Sequence, residues 1–252
     1  MSKRISYLKA EIAKYSLKLD HKGYVANHDG NISIRIEEGF LCTPTSEAKA
    51  SITGDMILTL DHEGKKTEGI GKPFSEIKLH LAAYRARSDV RAVVHAHPPY
   101  ATARGLVRQA LVPRLPEAIV SLGSVIPVLA HAMPGTAESE RAVEDALQGV
   151  DCFYVAGNGV LAVGADVEQA YLRLELVEHL TYIEYLAQQM GVPLKLSDVD
   201  VQALLKKRTA AGLGPGARRN PRPVNTRPHS EPPSSDLKSI IAEEIMKALK
   251  GL

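Results

Sequence analysis

The run Ala92-Val93-Val94-His95-Ala96-His97-Pro98-Pro99 sets two histidines one residue apart at the end of an apolar stretch. Side chains two apart on a strand point the same way, so both imidazoles face one side of a sheet. Neutral imidazole ligates zinc and its first-row neighbours, and two converging rings fill two positions on such an ion. A further ligand must come from elsewhere in the chain. Without one, the pair is two histidines hydrogen-bonding at a strand end.

Three small polar clusters precede the pair: Gly30-Asn31-Ile32-Ser33, Thr43-Pro44-Thr45-Ser46 and Lys72-Pro73-Phe74-Ser75-Glu76. Each falls beside an expected strand or helix start. Backbone N–H groups in a glycine turn, and hydroxyls at a helix N-terminus, satisfy phosphate oxygens. Any one cluster alone reads as turn or capping chemistry.

In this order, Gly30-Asn31-x-Ser33, Thr43-Pro44-Thr45, Pro73-x-Ser75-Glu76, His95-x-His97 and Pro134-Gly135-Thr136 resemble the class II sugar-phosphate aldolases, the group of fuculose-phosphate aldolase and ribulose-phosphate 4-epimerase, over about residues 5 to 192. The resemblance implies a lyase with His95 and His97 as metal ligands and Glu76 as the acid/base. It places the substrate phosphate among Gly30, Asn31, Thr45, Ser46 and Ser75. The implied cofactor is Zn2+ or another divalent ion such as Mn2+, polarising a carbonyl in place of a Schiff-base lysine. The implied products are dihydroxyacetone phosphate and an aldehyde such as lactaldehyde, from a fuculose- or rhamnulose-type ketose 1-phosphate. The implied assembly is a homotetramer with sites at subunit boundaries.

The sequence departs from the family pattern at several positions. The third ligand of the family is a His before a Gly, where this chain reads Ala156-Gly157-Asn158-Gly159. An amide oxygen is a weaker zinc ligand than imidazole, so a harder ion, or His131 as a substitute ligand, is the alternative. Phe74 stands where a second serine is usual. Glu117 and His131 stand where some members carry tyrosines. An epimerase or dehydratase on the same scaffold, and a non-catalytic lumen or assembly protein with a decayed metal site, are the competing functions.

The elements that must position these residues are legible in outline. Apolar periodicity and caps predict helices near 4–21, 75–87, 98–106, 136–149, 167–190 and 196–208, and strands near 31–36, 39–43, 56–60, 91–95, 125–129, 152–156 and 160–163. The expected fold class is α/β: one α/β/α layered catalytic domain over 1–208 with a central, mostly antiparallel sheet. Gly157-Asn158-Gly159 between two apolar runs reads as a tight hairpin turn. Cys42 and Cys152, both in apolar runs, read as reduced core thiols.

Residues 209–233 are rich in Pro, Gly and Arg and nearly free of aliphatics, the composition of a flexible linker. Residues 234–252 return to helical periodicity, with Leu237, Ile240, Ile241, Ile245, Leu249 and Leu252 on one face and Lys238, Glu243, Glu244, Lys247 and Lys250 opposite. A tethered amphipathic helix of this kind resembles the encapsulation peptides that carry enzymes into bacterial microcompartments. The expected partners are therefore shell proteins, and the expected location is a microcompartment lumen in a bacterial cytoplasm. Folding back on the catalytic domain is the alternative. The balance of 31 basic against 29 acidic residues gives no broad signal for nucleic acid, and Met1 to Leu19 reads as a charged amphipathic helix rather than a leader or membrane segment.

Overall fold

A computed structural model describes residues 3–130 and 136–215. His131, the linker from residue 216 on and the terminal 234–252 segment lie outside the described residues.

Eight strands form one sheet: β1 (Asn31–Ile36), β2 (Gly39–Cys42), β3 (Leu58–Leu60), β4 (Lys66–Glu68), β5 (Ala92–Ala96), β6 (Val128–Leu129), β7 (Cys152–Val155) and β8 (Val160–Gly164). Their order across the sheet is β4-β3-β2-β1-β5-β8-β7-β6, with every pairing antiparallel except β6 with β7. Seven helices are described: α1 (Lys3–His21), α2 (Ile77–Ala86), α3 (Pro99–Leu106), α4 (Pro116–Leu122), α5 (Ala137–Ala146), α6 (Val167–Met190) and α7 (Asp198–Ala210).

The central strands are apolar on both faces because both faces are covered. One core joins Ile32, Val94, Tyr154 and Ala162 to Ile12 and Tyr15 of α1 and Leu174 and Val177 of α6. The other joins Phe40, Val93, Phe153 and Leu161 to Leu79 and Ala82 of α2, Val143 of α5 and Leu147 at the end of α5. The result is the expected α/β/α sandwich. Cys42 and Cys152 are free thiols, one in each core, and burial raises both to about 12.

The helix starts follow capping chemistry. Thr136, Asp166 and Ser197 each accept a backbone N–H three residues on, opening α5, α6 and α7. Glu76 occupies the same position before α2 but makes no capping bond, so its carboxylate is free to point elsewhere.

At the end of the sheet away from His95, Asp151 is fully buried and binds three guanidinium groups. Arg87 Nη1 lies at 2.7 Å, Arg173 Nη2 at 2.9 Å and Arg208 Nη2 at 2.5 Å. Arg208 also donates to the carbonyls of Val120 and Ser121, so α7 is fastened to the domain beside α4.

The sequence reading missed α4 and β4 and made β6 too long. Strand β4, Lys66-Thr67-Glu68, is fully exposed at the sheet edge and carries no apolar alternation to betray it. Val125 and Ile126 fall outside β6, with Ile126 bridging Leu111 instead.

Candidate active site

Register brings the site together. Asn31 of β1 lies directly opposite His95 of β5, and Ala96 pairs with Val160 of β8, just past the Gly157-Asn158-Gly159 turn. His95 is fully buried at the end of β5 and His97 lies just beyond it, half-buried. Their Nε2 atoms approach to 3.1 Å. Two tetrahedral ligands about 2.0–2.1 Å from one ion would span an edge of about 3.3 Å, so the pair converges as metal ligands do. His97 is oriented from behind by Asp29, whose Oδ2 lies 3.3 Å from Nδ1, the carboxylate arrangement that turns the opposite nitrogen inward.

Glu76 faces this pair, with Oε2 3.9 Å from His95 Nε2. Two amides grip its carboxylate: Asn31 Nδ2 donates to Oε2 at 2.9 Å and Asn158 Nδ2 to Oε1 at 2.5 Å. Burial pushes the Glu76 carboxyl up, but His95 and the two amide bonds outweigh it and bring it down to about 2. Burial pushes His95 the other way, below the ordinary imidazole value, which leaves its nitrogens available for ligation at neutral pH.

Two glycines permit the close approach. A Cβ on Gly159 would meet the Ala96 carbonyl at 2.2 Å and the His97 ring at 2.5 Å. One on Gly30 would meet the His95 carbonyl at 3.1 Å. Both adopt positive φ, +72° and +74°, where glycine carries no Cβ strain. Asn158 itself does not, so the flanking glycines take the turn and the amide is left to reach Glu76.

Behind Glu76 a ladder fixes α2 against β1. Positions 31, 33 and 35 share one face of the strand, and 76, 80 and 84 share one face of the helix. Asn31 binds Glu76. Ser33 Oγ contacts His80 Nδ1 at 2.7 Å and Tyr84 Oη at 2.8 Å, and Arg35 stacks on the Tyr84 ring and donates to its carbonyl. Burial holds His80 neutral, at about 3, and the buried Phe74 ring packs against it at 4.8 Å.

The three polar clusters lie side by side and are tied in a ring. Asn31 joins the first to the third through Glu76, and Thr45 N donates to the Lys72 carbonyl at 2.9 Å, joining the second to the third. Lys49 Nζ donates to the carbonyls of Glu47 and His28, joining the second to the first. Gly30, Asn31, Thr45, Ser46 and Ser75 all belong to this cradle, with Thr45, Ser46 and Ser75 exposed and Ser46 at a positive φ of 62°.

A family model described as Class II Aldolase and Adducin N-terminal domain matches residues 10–185, which contain all of these elements. The chain belongs to this family. It is a lyase of the class II aldolase kind, and its similarity to known members runs over most of their length. An L-fuculose phosphate aldolase of Escherichia coli (strain K12) is 32% identical over 209 residues, covering 82% of this chain and 96% of the relative. A 5-deoxy-D-ribulose 1-phosphate aldolase of Bacillus thuringiensis serovar kurstaki is 28% identical over 199 residues, 78% of this chain and 93% of the relative. A solved L-fuculose 1-phosphate aldolase superposes with a TM-score of 0.74 at 29% identity, covering 82% of this chain and 97% of that one.

In this class II aldolase, Glu117 is exposed in the first turn of α4. Among the described residues no three His, Cys, Asp or Glu side chains form a metal-ligand group. The His95 and His97 nitrogens and the Glu76 carboxylate are what converge here, while Asn158 directs its amide nitrogen at Glu76. Sequence reasoning missed Asp29, His80 and Lys49. The four-residue step from Glu76 to His80 was a readable signal. Nothing local marks Lys49, since lysine ordinarily lies at the surface.

Proposed function

We propose that the chain is a metal-dependent aldolase that cleaves a ketose 1-phosphate of the fuculose or rhamnulose type to dihydroxyacetone phosphate and an aldehyde. The observation that carries this reading is the Glu76 carboxylate, gripped by two amides and facing two convergent imidazole nitrogens at the rim of a hydroxyl-rich cradle. The names of the E. coli and B. thuringiensis relatives support the substrate class.

His95 and His97 would hold the ion, with Asn158 offering an amide oxygen. A divalent ion so held supplies Lewis acidity at the substrate carbonyl. Glu76 then moves the proton at the neighbouring carbon. In cleavage the C–C bond breaks as the hydroxyl beyond it loses its proton and becomes the aldehyde, and the carbon left beside the carbonyl gains a proton. Glu76 would deliver that proton as acid in cleavage and remove it as base in condensation, with the Asn31 and Asn158 amides fixing its direction. Gly30, Thr45, Ser46 and Ser75 receive the phosphate with hydroxyls and backbone N–H groups.

Metal analysis of the purified protein, with a retro-aldol assay across ketose 1-phosphates, tests the reading. Bound divalent metal that is lost in His95→Ala, with turnover that is lost in Glu76→Gln while metal is retained, is the expected result. Asn158 favours one other reading, since its amide already serves Glu76 and stands where an imidazole would complete the metal site. A protein with no turnover on any sugar phosphate would be a non-catalytic lumen or assembly protein. Epimerase or dehydratase products in the same assay would reassign the chemistry on the same scaffold.

We further propose that the chain assembles as a homotetramer and travels as microcompartment cargo, with residues 234–252 binding shell proteins. The amphipathic pattern of that segment supports it.

A further inference from the structure

Lys49 is a buried charge that the mechanism above leaves unused. It opens a 3₁₀ turn, Lys49–Ser51, and is 1% exposed. Its Nζ donates to the Glu47 carbonyl at 2.8 Å and to the His28 carbonyl at 3.2 Å. These partners are neutral backbone groups. Asp29 and Glu47 attract the ammonium only from farther off, and burial lowers its pKa. An ammonium has three donor hydrogens, so one remains after the two carbonyls, and the charge itself is not closed by a contacting carboxylate among the described residues.

Burying such a charge costs free energy unless something offsets it, and its location points to what does. His28 precedes the Asp29-Gly30-Asn31 turn, and Glu47 follows Thr45-Ser46. The ammonium therefore sits under the junction of the two loops that supply most of the cradle. Lys72, in the third loop, is exposed and its charge is screened by solvent. A buried cation acts through a lower dielectric and is screened less.

We propose that Lys49 is the electrostatic anchor of the anion cradle: its ammonium staples the 28–31 turn to the 45–47 loop and supplies, from beneath, the positive charge that a phosphate group bound there requires. This rests on the reading that the three loops receive the substrate phosphate. Lys49 acts as a positioning and specificity residue, since its Nζ reaches the loop backbone and touches no reacting atom.

Charge and staple separate by substitution. Lys49→Gln keeps an NH2 group for the carbonyls and loses the charge, Lys49→Met loses both, and Lys49→Arg keeps the charge. Inorganic phosphate titrated into the full-length protein, followed calorimetrically, gives the affinity directly. Lys49→Gln and Lys49→Met should bind phosphate at least about tenfold more weakly than the parent, and Lys49→Arg within about threefold of it. On a ketose 1-phosphate the same two neutral variants should raise KM more than they lower kcat. Unchanged phosphate affinity in Lys49→Gln overturns the electrostatic role, whatever Lys49→Met does, and that variant also decides the matter if Lys49→Met fails to fold. A parent that binds no phosphate defeats the cradle reading itself, and the anchor with it.

Discussion

Asn158 donates its amide N–H to Glu76 across 2.5 Å, so the residue standing where the family pattern has a third histidine spends its amide nitrogen on the carboxylate proposed as the acid/base. The hairpin turn that would deliver an imidazole to the ion delivers an amide to the carboxylate. Replacing it tests both functions at once. Asn158→His should tighten zinc binding, measured by competition with a chelating dye, and raise retro-aldol turnover, because three nitrogens complete a site with an open position for substrate. Unchanged zinc affinity would mean that the third ligand comes from elsewhere, with His131 the first residue to test.

The amide on the other oxygen, from Asn31, is expected to set the acid limb of activity. Glu76 lies below its ordinary value of 4.5, at about 2. Its ionisation therefore stabilises the fold fully above pH 4.5 or so, and that stabilisation is lost as pH falls toward 2. A hydrogen bond to a charged group contributes about 1.5–3 kcal/mol, and 1.36 kcal/mol corresponds to one pKa unit. Asn31→Ala should thus move the acid limb of the kcat profile up by about one to two units. An acid limb that stays in place would show that Asn31 does not hold the ionised carboxylate.

Much of this geometry was legible in the sequence, and the failures share a cause. Helix α6 spans residues 167–190 as expected, because Asp166 caps its start and Gly191 closes its end. The His-x-His pair, Glu76 and the hairpin at Asn158 were local patterns. Asp29 behind His97, Lys49 between two loops and Ser33 between His80 and Tyr84 are contacts made between loops or between a strand and the helix packed on it. No local periodicity encodes them. Asn31 was read as a phosphate ligand, and the structure shows its amide nitrogen already on Glu76, a use visible only once β1 and α2 are packed together.

Asp151 is the acceptor on which three buried guanidinium groups depend. An amide in its place would leave Arg173 and Arg208 without their carboxylate and Arg87 with Asp89 alone. Removing one partner of a buried charge set costs roughly 3–5 kcal/mol. Asp151→Asn should lower the unfolding free energy from urea denaturation by that amount, and Arg208→Met by less, since Arg87 and Arg173 still hold the aspartate. Equal losses in the two variants would mean that docking of α7, rather than the shared acceptor, is what the cluster stabilises.

The terminal segment carries the last prediction. Leu237, Ile240, Ile241, Ile245 and Leu249 recur at helical spacing, while the opposite side mixes Lys238, Glu243, Glu244 and Lys247. Each aliphatic side chain buried in a partner groove contributes roughly 1.5–3 kcal/mol in gross terms, reduced by the ordering of helix and linker. The mixed signs of the polar side leave little net charge to steer a partner, so the apolar stripe should carry binding. Residues 234–252 fused to a fluorescent protein should concentrate it in co-expressed microcompartment shells. Ile241→Glu with Ile245→Glu should leave the fusion diffuse, while reversing Lys238 and Lys247 should change little. Arg208 fastens α7 to the domain, so a chain ending at residue 219 should keep the parent's melting temperature. A diffuse intact fusion together with a destabilised truncation would show that the segment folds back on its own enzyme instead of binding a shell.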